Sequence, residues 1–344
     1  MPTGNSTMDI KVSIIIPTYN RGRLLRQCLD AVLMQQEAPP FEVVVVNDGS
    51  TDETAEVIKE YANVRLISQT NAGPAAARNN GAAQARGEIV VFTDDDCIPE
   101  PDWLKQLVAP FGRPEVAGAK GAYYCDQREP IARFVQLEYE EKYKELERHE
   151  YIDFVDTYSA AFRRNLFLAA DGYDTAFTTA SVEDQEFSFR LANAGHKMVF
   201  VPEARVWHRH TTTLGSYCRK KYKIGFWKVL VLAKNPNKAS GDSHTPITLK
   251  IQILLAAAFL PLSALALLIP SASLVLFALV FTFFASSVPL TLRCLRADPL
   301  VGLFAPLFIV CRAGSLAWGL ARGTLKRISG DPRFRVGDRP PQAE

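Results

Sequence analysis

The chain has 344 residues, a net charge of +2 and six cysteines. That length allows about one to three domains, and so small a net charge excludes a nucleic-acid binder driven by bulk charge. The cysteines, at 28, 97, 125, 218, 294 and 311, are too widely spaced in sequence for a zinc or redox pair, which points to a reducing compartment.

Residues 1–9 are polar, carry no basic-plus-apolar signal peptide and are expected to be a short disordered lead. Val12 to Ile16 is an apolar, β-branched run closed by Pro17. Leu24, Leu25, Cys28, Leu29, Val32 and Leu33 then recur at helical spacing. Phe41 to Val46 is a second buried strand, followed by Asn47-Asp48-Gly49-Ser50, where Asp48 is good turn chemistry and Gly49 suits positive φ. Ser50 and Glu53 read as a capping box, so a helix is expected from about Thr51. Val64 to Ser68 is a third strand. The turn Asn71-Ala72-Gly73-Pro74 leads into a helix from Pro74 to about Ala85 that carries Arg78. After Gly87, the strand from Glu88 to Phe92 runs straight into Asp94-Asp95-Asp96. Strands alternating with helices in this way predict an α/β fold on a parallel, doubly wound sheet.

Ligands of open α/β sheets sit outside the carboxyl ends of the strands. Three carboxylates there repel one another unless a positive charge sits between them. A hard divalent cation fits, because Mg²⁺ prefers carboxylate oxygens together with a substrate's phosphates. Taken alone, the three acids read equally well as a solvated turn. Neither G-x-G-x-x-G nor G-x-x-x-x-G-K-[ST] occurs after the first strand, so any nucleotide must be held through side chains and metal.

Farther on, Glu129 to Glu150 is a charged helix with Phe134, Tyr139 and Tyr143. Thr157 to Arg164 leads into a short helix ending near Gly172. Asp184 to Ala194 is a helix that Gly195 terminates. Lys197 to Val201 is a strand, with Val206-Trp207-His208 just beyond. Singly, Asp184 reads as a helix cap and Arg78 as a solvated helix residue.

Leu214 to Lys234 mixes cations with Tyr217, Tyr222, Phe226 and Trp227. Residues 251–270 and 272–292 contain no charge, and each is long enough to cross a bilayer as a helix. A third apolar segment, 300–320, is interrupted by Arg312 and either spans or re-enters. Lysine and arginine stay on the cytoplasmic side. The basic stretch from Arg219 to Lys250 therefore puts the part before the spans in the cytoplasm, and Arg293 and Arg296 return there.

Five motifs in order resemble the family 2 glycosyltransferases of GT-A fold: Ile16-Pro17-Thr18-Tyr19-Asn20-Arg21, Asn47-Asp48-Gly49-Ser50-Thr51-Asp52, Ala77-Arg78-Asn79, Asp94-Asp95-Asp96 and Val182-Glu183-Asp184. The resemblance implies a doubly wound, mostly parallel sheet. It implies that Pro17, Tyr19 and Arg21 line a nucleotide pocket, that Asp48 accepts from the base (usually uracil) and that Arg78 helps hold the nucleotide. Asp94 and Asp96 become the two acids of a D-x-D motif, one near the ribose and one on Mg²⁺ or Mn²⁺. Some members of the family take a histidine as metal ligand at about the distance of His208, although His210 competes for that place. Asp184 becomes the general base, with Glu183 beside it pointing elsewhere, since adjacent helical residues diverge by about 100°, and the helix N-terminus is expected to keep Asp184 ionised. Tyr158-Ser159-Ala160 and Asp171-Gly172-Tyr173-Asp174 resemble loops of the acceptor side, and read equally as a turn with core aromatics. The Q-x-x-R-W of processive members is missing from Lys220–Trp227, which implies addition of one sugar per encounter.

The expected organisation is a lead at 1–9, a GT-A domain at 10–235, a linker at 236–249, a membrane region at 250–320 and a basic tail at 321–344. The expected activity is inverting transfer from a nucleotide sugar, with UDP as the carrier, to a lipid-linked or glycan acceptor. The expected setting is a multi-pass protein of the cell inner membrane that meets membrane lipids and no nucleic acid, with its catalytic domain cytoplasmic. Transfer onto polyprenyl phosphate, a silent assembly scaffold and a nucleotidyltransferase are the rival readings.

Overall fold

The computed structural model describes residues 10–177, 181–239 and 241–334. The lead at 1–9 and the end of the basic tail lie outside the described residues. The chain forms two compact units. One runs to Tyr124 and resumes from His149 to His208, and the other takes Cys125–Arg148 and everything from Arg209 onward. The stretch 10–235 is thus divided between the two.

In chain order the first unit supplies β1 (Val12–Thr18), α1 (Gly22–Leu33), β2 (Phe41–Asn47), α2 (Thr54–Lys59), β3 (Val64–Ser68), α3 (Pro74–Gln84), β4 (Ile89–Phe92), β5 (Cys97–Pro99), α4 (Trp103–Val108) and β6 (Val116–Tyr124). The second unit then supplies α5 (Pro130–Leu146). The first resumes with β7 (Ala160–Arg163), α6 (Arg164–Ala169), α7 (Glu183–Asn193) and β8 (Lys197–His208). The second closes with α8 (Leu214–Lys234), α9 (Ile247–Leu268), α10 (Ala272–Ala297) and α11 (Pro299–Ile328).

The strands make one sheet in the order β3-β2-β1-β4-β7-β6-β8-β5. β1 lies parallel to β2 and β4, β2 to β3, and β6 to β8. β7 runs antiparallel to both β4 and β6, and β5 antiparallel to β8. The apolar runs fix the parallel half, because a strand covered on both faces must be apolar throughout, and every residue of β1 is buried. β4 stops at Phe92, level with Ile15, whereas β1 continues to Thr18. The crevice at the carboxyl ends of β1 and β4 is where the strand order reverses, the usual ligand position of such sheets. A Cβ on Gly81 would lie 2.5 Å from Ile15 Cγ2 and 3.0 Å from Val46 Cγ2. Glycine there lets α3 approach the sheet closely. Behind the crevice, Phe92, Phe162, Phe167, Tyr173 and Phe187 form an aromatic core with centroids 4.9–6.4 Å apart.

Two local expectations are corrected. The helix expected from Thr51 begins at Thr54, and no capping box forms. Ser50 Oγ instead accepts the Asn20 N–H at 2.9 Å, while Asp52 Oδ1 takes the Thr54 N–H at 3.1 Å. The strand Lys197–Val201 and the residues beyond it form a single twelve-residue strand, β8, whose register against β6 shifts between Lys120 and Ala122. Gly49 and Gly195 hold the positive φ expected of them, 77° and 84°.

In the second unit, α9, α10 and α11 are each long and apolar enough to cross a membrane, with mean hydropathies of 2.3, 2.1 and 1.9 over their most apolar windows. α9 starts earlier than the expected segment and stops at Leu268, α10 starts as expected and runs on to Ala297, and α11 extends its segment at both ends. Leu254, Leu260, Phe277 and Phe281 stand exposed on α9 and α10, as a lipid-facing surface requires. α5 lays Ile131, Phe134 and Val135 against Phe283, Val301, Ala305 and Phe308. α8 and α11 cross at glycine. A Cβ on Gly225 would strike the Leu316 carbonyl, one on Gly319 the Tyr222 carbonyl, and one on Gly323 the Phe226 carbonyl. Small residues of this kind let two backbones touch. Gly319→Leu should therefore lower the thermal midpoint of the detergent-solubilised protein by the equivalent of about 1–3 kcal/mol or more. Gly314→Leu should leave it near wild type, because nothing lies within 4 Å of a Cβ at Gly314. Equal midpoints for the two variants would contradict this crossing.

Candidate active site

The carboxyl ends of two strands deliver the acids and a third adds their neighbours. Asp48 follows β2, and Asp94, Asp95 and Asp96 follow β4, while Pro17 lies near the end of β1 and Tyr19 and Arg21 follow it. Tyr19 is 47% exposed, whereas Pro17 is buried in β1. Asp48 is buried and already engaged. Its Oδ1 accepts from Gln69 Nε2 at 2.7 Å and the Ala72 N–H at 2.8 Å, and its Oδ2 from the Gly73 N–H at 2.9 Å. Each carboxylate oxygen has two lone pairs, so Oδ2 retains one acceptor position.

The three neighbouring acids have separate partners. Asp94 Oδ1 accepts from Arg78 Nη2 at 2.6 Å. Asp95 is buried, accepting from Thr18 Oγ1 at 2.8 Å and Arg21 Nη1 at 3.0 Å. Loss of water raises its pKa to about 7; the attraction of Arg21 opposes this, and repulsion from Asp96 and Asp94 adds to it. Asp96 Oδ2 accepts from the same Arg21 Nη1 at 2.9 Å, and its Oδ1 lies 3.6 Å from His208 Nε2.

β5 and β8 explain how His208 arrives there. Cys97 pairs with His208 in their antiparallel register, and directly opposed residues project to one face. Asp96, Cys97 and His208 thus offer ligand atoms within 4.8 Å of one another. A carboxylate, an imidazole and a sulfur suit a divalent cation of borderline character. The ring of Tyr123 stacks on His208 at 4.5 Å. His210 belongs to the second unit, where it stacks on Tyr139 at 5.6 Å and meets Gln136 Oε1 at 3.1 Å.

Arg78 was expected to help hold a nucleotide. It is buried, and it links two carboxylates: Nη2 donates to Asp94 and Nη1 to Glu183 Oε1 at 3.2 Å. Its Nε is buried without a partner among the described residues. Asn79, next to it, clasps the backbone of Tyr173, donating to its carbonyl at 2.7 Å and accepting its N–H at 2.8 Å. Of the residues resembling acceptor loops, Tyr173 sits in the aromatic core. Tyr158 is also buried, its hydroxyl accepting from Lys120 Nζ at 2.8 Å, and the same lysine is ion-paired with Asp156.

Glu183 and Asp184 open α7. Glu183 is fully engaged by Arg78 and, through Oε2, by the Ser181 N–H at 2.8 Å. Asp184 accepts only from the Gln185 N–H, at 2.7 Å, among the described residues. The helix N-terminus was expected to keep Asp184 ionised. Removal from water instead raises its pKa to about 7, helped by the negative charge of Glu183 and opposed by the Gln185 N–H, Arg78 and Lys120.

Sequence reasoning missed Thr18, Asp95 as a bonded residue, Cys97 and Lys120. Cys97 directly follows the acids and was legible as a neighbour of Asp96. Lys120 was not, because β6 reads Val-Ala-Gly-Ala-Lys-Gly-Ala-Tyr-Tyr, with two glycines where strand signal should be. Gly118 is required by Phe162, whose Cδ1 would lie 2.8 Å from an added Cβ.

Residues 13–169 match the family model for glycosyl transferase family 2. The chain is 27% identical over 248 residues to the pre-mycofactocin glycosyltransferase of Mycobacterium tuberculosis, covering 70% of this chain and 51% of that one. It is 29% identical over 191 residues to the putative glycosyltransferase EpsH of Bacillus subtilis, covering 52% and 55%. Glycosyltransferase GlyA of Streptococcus pneumoniae is 39% identical over 121 residues, which cover 34% of this chain and 17% of GlyA. The matches thus span about half or less of the length of these relatives. Among solved structures, the mannosyltransferase PcManGT of Pyrobaculum calidifontis, in complex with GDP-Man and Mn²⁺, superposes with a TM-score of 0.55 at 23% identity, covering 94% of this chain and 89% of that one. With the five motifs gathered around the carboxyl ends of β1, β2 and β4, the stretch 13–169 is similar to the family 2 glycosyltransferases, the fold is that of GT-A enzymes, and the chain carries three helices long and apolar enough to cross a membrane.

Proposed function

We propose that the protein is an inverting, metal-dependent transferase that moves a sugar from a UDP-sugar to a lipid-linked glycan acceptor at the cytoplasmic face of a cell inner membrane. The observation that carries this reading is that carboxylates on one unit stand in two different surroundings. Asp94 and Asp96 face cations, whereas Asp184 is poised near neutrality with an open oxygen. A general base works best when its pKa lies near the operating pH.

The donor set of Asp96 and His208, with Cys97 beside them, fits Mn²⁺ better than Mg²⁺, which prefers oxygen ligands alone, and PcManGT is described with Mn²⁺. When bound, the cation supplies Lewis-acid stabilisation of charge on the departing diphosphate. Asp48, with its remaining acceptor position, receives the N–H of uracil. Pro17, Tyr19 and Arg21 flank the nucleotide. Arg78 acts through Asp94 and Glu183, holding both in place. Asp184 takes the proton from the acceptor hydroxyl as that oxygen attacks the anomeric carbon from the face opposite the nucleotide. The membrane helices support a lipid-borne acceptor, because a chain tethered to the bilayer meets lipid-linked substrates at high effective concentration. The basic stretch 219–250 supports the cytoplasmic orientation.

Chelation tests the metal. EDTA should stop UDP release, and added Mn²⁺ or Mg²⁺ should restore it. Asp96→Ala and His208→Ala should each abolish transfer, and Asp94→Ala should weaken it severely. Full turnover in excess chelator contradicts the assignment. A binding titration should find UDP tighter than GDP, and the reverse order would overturn the choice of donor.

The base is tested by pH. Asp184 acts only when deprotonated, so kcat/KM should rise with pH through about 7 and level off above it. Asp184→Asn should lose about 10²–10⁴-fold in turnover while keeping its affinity for UDP. Glu183→Gln removes a charge that raises the Asp184 pKa and releases Arg78 to lower it, so the acid limb should move to lower pH. An Asp184→Asn enzyme that turns over like wild type would point instead to an acceptor ionised without help, such as polyprenyl phosphate.

A further inference from the structure

The second unit contains a small cavity, of about 80 Å³, lined by α5, α9, α10 and α11. Its walls include Lys142 of α5, Thr248 and Gln252 of α9, Ser286 of α10 and Arg312 of α11, with Glu138 at the back. Leu249, Pro289 and Leu290 make the rest apolar. A site of 10–15 Å³ already holds one water, so this one has room for a group of several heavy atoms.

The charges around it do not balance. Glu138 Oε1 accepts from Arg312 Nη1 at 2.8 Å, its Oε2 lies 3.0 Å from Lys221 Nζ, and Tyr217 Oη donates to it at 3.0 Å. Arg312 Nη2 donates to Gln252 Oε1 at 2.7 Å. Glu141 is already ion-paired with Arg293, and Asp242 is met by Lys250 at 3.5 Å. Among the wall groups Glu138 thus faces both Lys142 and Arg312, and Lys221, outside the wall, draws on the same carboxylate, so positive charge is in excess there. Burial, then repulsion from Lys142 and Arg312, holds the Lys221 pKa down to about 8 against the attraction of Glu138. Arg312 Nε is buried with no partner among the described residues, while the residue as a whole is 6% exposed. Buried cations in excess and an unmet guanidinium N–H are costly unless an anion joins them.

We infer that this cavity binds the phosphate group of an anionic lipid, with Lys142 and Arg312 Nε as its donors and Thr248 as a neutral one. A phosphate matches the cavity in size, in charge and in its supply of acceptors. Leu249 and Leu290 give the attached chain an apolar exit. The site is independent of the transfer reaction, and its test reads binding alone.

The test uses the full chain in a neutral detergent, with its thermal midpoint measured against three short-chain probes: dioctanoyl phosphatidic acid, inorganic phosphate and dioctanoylglycerol. A ligand that binds only the folded state raises the midpoint saturably. Phosphatidic acid should do so and dioctanoylglycerol should not. Lys142→Met should weaken the apparent affinity for phosphatidic acid about tenfold, the loss of one charge-assisted hydrogen bond. Arg312→Lys, which keeps the charge opposite Glu138 but lacks Nε–H, should weaken it comparably. Saturation by inorganic phosphate as well would support a phosphate site that free phosphate also fills, and a response to phosphatidic acid alone would assign the lipid. The inference is overturned if neither phosphate probe exceeds dioctanoylglycerol, or if both variants bind phosphatidic acid as wild type does.

Discussion

The first unit depends on one buried cation. Arg78 sits in α3 with Asp94 on one side and Glu183 on the other, at 2.6 and 3.2 Å. Breaking a buried pair by removing one partner is strongly destabilising, typically about 3–5 kcal/mol. The guanidinium therefore fixes the end of β4 and the start of α7 relative to each other, although their carboxylates are far apart in sequence. The requirement reaches back into the fold. Gly81 brings α3 down onto Ile15 and Val46, and Asn79 clasps Tyr173, so the helix that carries Arg78 is itself held on two sides.

That arrangement separates two tasks among chemically similar groups. Asp94 and Asp96 face guanidinium groups. Asp184 stands beside Glu183, whose charge is spent on Arg78, and burial leaves it close to the pKa of a working base. In the proposed mechanism, environment rather than residue type assigns the roles.

The parallel half of the sheet was legible in the sequence because Val12–Ile16, Phe41–Val46 and Val64–Ser68 are apolar runs punctuated by turn residues. The five motifs were legible through their resemblance to a known family, four of them lying at a strand end or helix start and Ala77-Arg78-Asn79 inside α3. The rest was not. β6 is a strand by virtue of Phe162 and Met198 pressing on Gly118, a tertiary fact with no local signal. Ser50 looks like a cap but bonds Asn20, which is distant in sequence. The ionisation of Asp184 was misjudged because the helix dipole is local and readable, whereas desolvation by the surrounding fold is neither. Arg312 appeared to interrupt a span, and its reason is the Glu138 of a helix more than a hundred residues earlier.

In the proposed reaction, a hydroxyl that Asp184 deprotonates displaces the nucleotide directly at the anomeric carbon. The configuration of the product tests it most directly. Transfer from an α-linked UDP-sugar should give a β-linked product, read from the anomeric proton coupling in the NMR spectrum before any downstream step acts. A product that retains the α configuration would contradict the account.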